Sequence, residues 1–115
     1  MNIEQLRKFC LLLPEVTEDV KWENDLCFLI GGKMFCVTGL HRPFEVSFKV
    51  TEEEFSKLTE SDGIIPAPYV ARYKWVLVEK PERFTKNEWK HYIRQSYELT
   101  KSKLPKKILM QLDIK

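Results

Sequence analysis

The side chains of this sequence that stand where they could do chemistry are mostly basic. Lys33 follows the glycine pair Gly31-Gly32, Arg72 and Lys74 flank Tyr73, and Lys103, Lys106 and Lys107 cluster near the C-terminal end. His41 and Arg42 add charge in another loop, and Tyr69, Tyr73 and Trp75 interleave with the basic residues. Cations that project from a hairpin tip, a loop and a helix end suit contact with phosphate oxygens. The competing reading is a solvated face with lysines complementing a helix C-terminus, and the sequence alone favours it. A second constellation, Trp22, Tyr69, Trp75 and Tyr97, has the composition of a pocket lining.

Catalytic signatures are missing. The sequence holds no G-x-x-x-x-G-K, G-x-G-x-x-G, G-x-S-x-G or H-E-x-x-H pattern. Gly31-Gly32-Lys33 lies between two apolar strand-like runs, the setting of a hairpin turn and not of a phosphate cradle opening a helix. His41 and His91 have no second ligand at metal spacing, and Cys10, Cys27 and Cys36 form no C-x-x-C. Neither a metal nor a cofactor is expected. An odd number of cysteines argues against a disulfide framework and fits a reducing compartment. A two-residue glycine turn pairs Ile30 with Lys33, Phe28 with Phe35 and Cys27 with Cys36, which predicts two reduced thiols facing one another. Glu52, Glu53 and Glu54 stand in the first turn of a helix, where complementing its dipole accounts for them.

The elements that must carry these residues follow from periodicity. Ile3, Leu6, Cys10 and Leu13 predict a helix from about Asn2 to Leu13, ended by Pro14. Glu15 to Asp25 is polar and is expected to be a connection. Leu26–Ile30 and Lys33–Thr38 form the hairpin, and Phe44–Val50 alternates apolar with polar as a third strand. Capping boxes at Thr51–Glu54 and Thr85–Glu88 open two helices, the second running to about Lys103 with Trp89, Tyr92, Ile93, Ser96 and Thr100 inward. Between them lie a short strand at Ile64-Ile65 and a longer one at Lys74–Glu79, and Ile108–Leu112 forms a final turn or short helix.

This order predicts one α+β domain over residues 1–115, a two-layer sandwich with an antiparallel sheet and helices packed on one face. The hairpin is apolar on both faces, so its outer face needs cover. The first helix or the C-terminal tail is the expected cover, and a protein partner is the alternative. With 115 residues, 43% hydrophobic content and a net charge of +2, the chain is sized for one domain and is not committed by charge to a polyanion. No apolar run approaches a membrane span, and Met1-Asn2-Ile3-Glu4-Gln5 lacks the features of a signal peptide, so a cytoplasmic monomer without membrane association is expected.

Several segments together resemble the MmcQ/YjbR family. Leu12-Leu13-Pro14-Glu15-Val16-Thr17-Glu18 is similar to its L-P-G-V-T-E turn, with Glu15 where glycine is common, and Gly31-Gly32-Lys33-Met34-Phe35 to its G-G-K-M-F hairpin. Pro66-Ala67-Pro68-Tyr69-Val70-Ala71-Arg72 with Trp75-Val76 is similar to its P-A-P-Y-x-A-R…W-V segment. Ser96-Tyr97-Glu98-Leu99 and Lys103-Leu104-Pro105-Lys106-Lys107 resemble its S-Y-x-L…K-L-P-K-K ending. The resemblance implies an α-β(3)-α-β(2)-α fold, related in shape to type III secretion chaperones and the frataxin-like group. It also implies a "double wing" DNA-binding label and brings no catalytic residues. A non-catalytic binding domain is therefore expected, with weak DNA binding through Lys33, Arg72, Lys74, Lys103, Lys106 and Lys107 as the leading reading. A protein-interaction or chaperone-like module using the apolar sheet face is the alternative, and a small-molecule binder or enzyme the third.

Overall fold

The computed structural model describes residues 1–41 and 43–112. Its local signals are those of the sequence. Asn2 caps helix α1 (Ile3–Leu12) by exchanging hydrogen bonds with Gln5. Thr51 and Glu54 do the same for α2 (Glu52–Leu58), and Thr85 and Glu88 for α3 (Lys86–Lys101). Each capping box satisfies backbone donors that a helix start leaves free. A last helix, α4 (Lys106–Leu112), follows Pro105.

The strands are β1 (Val16–Lys21), β2 (Asp25–Ile30), β3 (Lys33–Gly39), β4 (Val46–Lys49), β5 (Ile64–Pro66) and β6 (Trp75–Val78). They form one sheet in the order β1-β2-β3-β4-β6-β5, with antiparallel neighbours throughout. The expected α+β class and antiparallel sheet are those observed, with one strand more than the α-β(3)-α-β(2)-α count. That strand, β1, falls in the stretch expected to be a connection. As an edge strand with no fully buried residue it carries Glu18, Asp19 and Lys21 and lacks an apolar alternation. It is tied to α1 by a two-pronged contact in which Arg7 donates to both Glu18 oxygens, at 2.7 and 2.6 Å.

Burial explains the layering. Leu6 and Cys10 of α1, Leu26, Phe28 and Ile30 of β2, Val46 and Phe48 of β4, Val76 and Val78 of β6, and Trp89, Ile93 and Tyr97 of α3 make one core between helices and sheet. Phe84 stacks on Tyr92 at 4.9 Å and meets Trp89 edge-on at 5.1 Å, closing one end of it. Leu104, Ile108, Leu109 and Leu112 also pack against this core. The first helix and the tail are thus spent on the inner face, and the expectation that either covers the outer face is overturned.

The hairpin register departs from the regular one. Ile30 does face Lys33, and Leu29 faces Met34, but the ladder then shifts so that Phe28 opposes Cys36 and Cys27 opposes Val37. Phe35 is the extra residue of a β-bulge, which lets Phe35 and Cys36 both enter the core. Phe35 gains an edge-on contact with Tyr97, ring centroids 5.5 Å apart. Pairing of β3 with β4 reaches Cys36 and Phe48 and stops. Where the next rung would join Phe35 to Lys49, the buried hydroxyl of Ser96 intervenes. It donates to the Phe35 carbonyl at 2.6 Å and accepts from the Lys49 N–H at 2.9 Å. Two polar groups that the bulge would orphan are satisfied by one side chain of α3.

The turn between α1 and β1 has Pro14 in its second position and Glu15 in its third, closed by Val16 N–H to Leu13 O at 3.4 Å. Glu15 has φ +62°, the left-handed value that explains why glycine is favoured in this motif. The Tyr97 hydroxyl donates to the Pro14 carbonyl at 2.8 Å and holds the turn against α3.

Two outcomes follow. Ser96→Ala leaves two buried backbone groups unpaired, and at about 1–3 kcal/mol for each such group the expected loss is about 2–6 kcal/mol; urea denaturation reads it, and an unchanged midpoint contradicts the role given to Ser96. Glu15→Gly removes the left-handed strain and raises stability by about 1 kcal/mol in the same assay.

Candidate functional site

The outer face of the sheet is where the unabsorbed side chains meet. Met34 and Val37 of β3, Ser47 of β4 and Trp75 of β6 floor a cleft of about 590 Å³. Its walls are Trp22 and Asp25 at the β1–β2 turn and the loop Ala67-Pro68-Tyr69-Val70. The floor is mostly apolar because alternate residues of strands whose other face is buried point here. The rims are unusual: Trp22 and Tyr69 are 66% and 99% exposed, and both have left-handed backbones, with φ +53° and +69°. Non-glycine residues resist that conformation, so the fold spends strain in presenting two aromatic rings to solvent.

At one end the cleft adjoins a groove of about 450 Å³ lined by Lys33, Met34, Lys49, Tyr73, Trp75, Thr100 and Lys103. Met34 and Trp75 belong to both. Three lysines from β3, β4 and the segment after α3 converge there. Among the described residues, none of the three pairs with a carboxylate. Lys49 donates to the Tyr73 carbonyl at 2.6 Å. Burial, and to a lesser extent the charge of Lys103, hold the Lys49 ammonium below its ordinary pKa. The groove opens where β3 and β4 part around Ser96, with Thr100 and Lys103 following along α3 and its exit.

The sequence-predicted residues divide. Lys33 and Lys103 line the groove, and Arg72 sits beside it with its guanidinium over the Tyr73 ring, 4.8 Å from the centroid. Lys74 turns away, its ammonium 5.0 Å from the centre of the Phe55 ring on α2. Lys106 and Lys107 are exposed in the first turn of α4 and line neither the cleft nor the groove. Trp22, Tyr69 and Trp75 come together in the cleft. Tyr97 does not: it lies in the core on the opposite face, four residues beyond Ile93 on the same inner stripe. Arg42 lies outside the described residues. Lys49, absent from the sequence-derived set, was marked only as a solvent-facing position in the alternation of Phe44–Val50.

The cysteines take no part in this site. All three are free and fully buried, and the shifted register removes the expected facing of Cys27 and Cys36. Burial, and then a hydrogen bond with Cys10, push the Cys36 thiol well up. Burial and the Asp25 carboxylate raise that of Cys27. Among the described residues no cluster of His, Cys, Asp and Glu could hold a metal ion, and no helix is long and apolar enough to cross a membrane.

An antiparallel α+β domain with helices on one face and an open cleft on the other is the class defined by this geometry. The chain belongs to the YjbR family, whose pattern matches residues 11–99. The crystal structure of a DUF419-domain protein from Deinococcus radiodurans is similar, with a TM-score of 0.88 and 24% identity, covering 99% of this chain and 89% of that one. A Pseudomonas syringae protein of known structure has a TM-score of 0.71 and 22% identity, covering 87% of this chain and 99% of that one. These likenesses describe the fold. No curated protein matches the sequence.

Because all three thiols are buried and two are pushed upward, the native protein should react negligibly with a thiol-specific reagent at neutral pH. Three equivalents should appear on unfolding without reductant. A deficit after unfolding would indicate a disulfide.

Proposed function

We propose that this domain is a non-catalytic binding module that holds nucleic acid weakly, and without regard to sequence, through its phosphates. The observation that carries the reading is the convergence of Lys33, Lys49 and Lys103 on one groove with no neutralising carboxylate among the described residues. Bringing like charges together costs free energy that an anion recovers. Arg72 adds positive charge beside this centre, Lys106 and Lys107 lie outside it on α4, and Lys74 contributes least because it is engaged over Phe55. The set of basic residues agrees with the DNA-binding label implied by the family resemblance.

A second reading has its own observation, the open apolar cleft floored by Met34, Val37 and Trp75. A partner protein's apolar segment could lie there. Such binding would be indifferent to salt and would be lost on Val37→Asp.

Fluorescence anisotropy with a labelled DNA duplex separates the two. Phosphate binding weakens linearly in log salt with a slope of about 0.9 per phosphate neutralised, so three lysines predict a slope of about 2–3. The double variant Lys33→Glu, Lys103→Glu should lower affinity at least about tenfold and flatten the slope. An absence of binding at low salt, or binding insensitive to salt and to this variant, would falsify the phosphate reading.

A further inference from the structure

We infer that the ligand of this site is single-stranded nucleic acid, with unstacked bases lodged in the cleft and the backbone phosphates on the lysine groove. The inference rests on the phosphate reading above and specifies which form of nucleic acid the site takes. Three observations support it, the first two independent of the lysines.

The first is the cleft itself. It is floored by sheet, with Trp75 in the floor and Trp22 and Tyr69 at its rims, and its volume of about 590 Å³ exceeds what one base needs. Bases inside a duplex present only their edges to a protein. Aromatic residues at the rim of such a cleft are useful to bases taken out of the stack.

The second is the placement of Trp22 and Tyr69. They face the cleft from two loops far apart in sequence, and each pairs large exposure with a left-handed backbone. Burial in the core cannot account for rings so exposed. Stacking on a planar ligand would use them.

The third is the connection between cleft and groove. Met34 and Trp75 wall both, and Lys49 is the register partner of Trp75. A base above Trp75 therefore lies next to the groove that Lys49 and Lys33 line, where its phosphate can follow. Asp25, at the opposite end of β2 from the Lys33 turn, repels phosphate from the far end of the cleft and fixes which end the backbone follows.

Anisotropy with labelled oligothymidylate and with a duplex of equal length, at the same low salt, tests this. The single strand should bind at least about tenfold tighter, as stacking of one or two bases predicts. Tyr69→Ala and Trp22→Ala should each reduce single-strand affinity about fivefold or more and leave duplex affinity unchanged. Both side chains are at the surface, and thermal melting confirms that the variants fold. Equal binding of the two forms, or single-strand binding indifferent to both aromatic variants, would overturn the inference while leaving the phosphate reading intact. Failure of both forms to bind would overturn the two together.

Discussion

One hydroxyl group holds the sheet in its particular shape. The Ser96 side chain, fully buried on α3, stands in for a rung between β3 and β4 by linking the Phe35 carbonyl to the Lys49 amide. A direct rung would keep the strands at ordinary sheet spacing, whereas a bridging oxygen holds them apart while leaving no donor or acceptor orphaned. The bulge at Phe35 is thereby tolerated, Phe35 is free to pack on Tyr97, and the strands diverge toward the Lys33 end. The lysine groove occupies that divergence. The site is thus a product of core packing: α3 fixes the backbone from within, and the charges outside take positions that the backbone dictates.

The two faces of the sheet have different roles. The helix side carries the hydrophobic stabilisation, with Trp89, Tyr97, Phe28, Phe35 and Phe48 among its largest fully buried side chains. The other side is sheltered only by turns, and its aromatic rims are held in left-handed backbone conformations that favour glycine. Stability and exposure are separated by the thickness of one sheet, so the outer face can tolerate strained and unpaired groups that would be ruinous within. The surface contact of Arg7 with Glu18 secures the β1 edge without contributing much free energy, because both partners remain solvated.

How much of this was legible in the sequence depended on whether the signal was local. The capping boxes at Thr51 and Thr85, the alternation of Phe44–Val50, the glycine turn and the inner stripe of α3 are patterns within a few residues, and each appears where the pattern put it. Strand β1 was hidden because an edge strand half in water has no apolar alternation to show. The bulge was hidden because nothing in Met34-Phe35-Cys36 distinguishes an inserted residue from a paired one; the distinction is made by Ser96, sixty-one residues away. Lys49 was visible as a solvent-facing residue but became a site residue only through its neighbours on other strands. Tyr97 erred the other way, since its spacing from Ile93 already pointed inward.

The hairpin tip carries a temporal consequence. A Cβ on Gly31 would lie 2.7 Å from the Leu104 side chain and 2.9 Å from that of Ile108, so the bare backbone of the turn is the seat on which the segment leading into α4 rests. In a chain made from its N-terminus onward, the hairpin is synthesised seventy residues before its seat is filled. Lys33 therefore precedes Lys103 and acquires it as a neighbour only when the segment holding Leu104 docks. The charged groove is complete only once the segment that carries Lys103 has been made and seated, and a nascent chain that ends before it has no complete groove to offer.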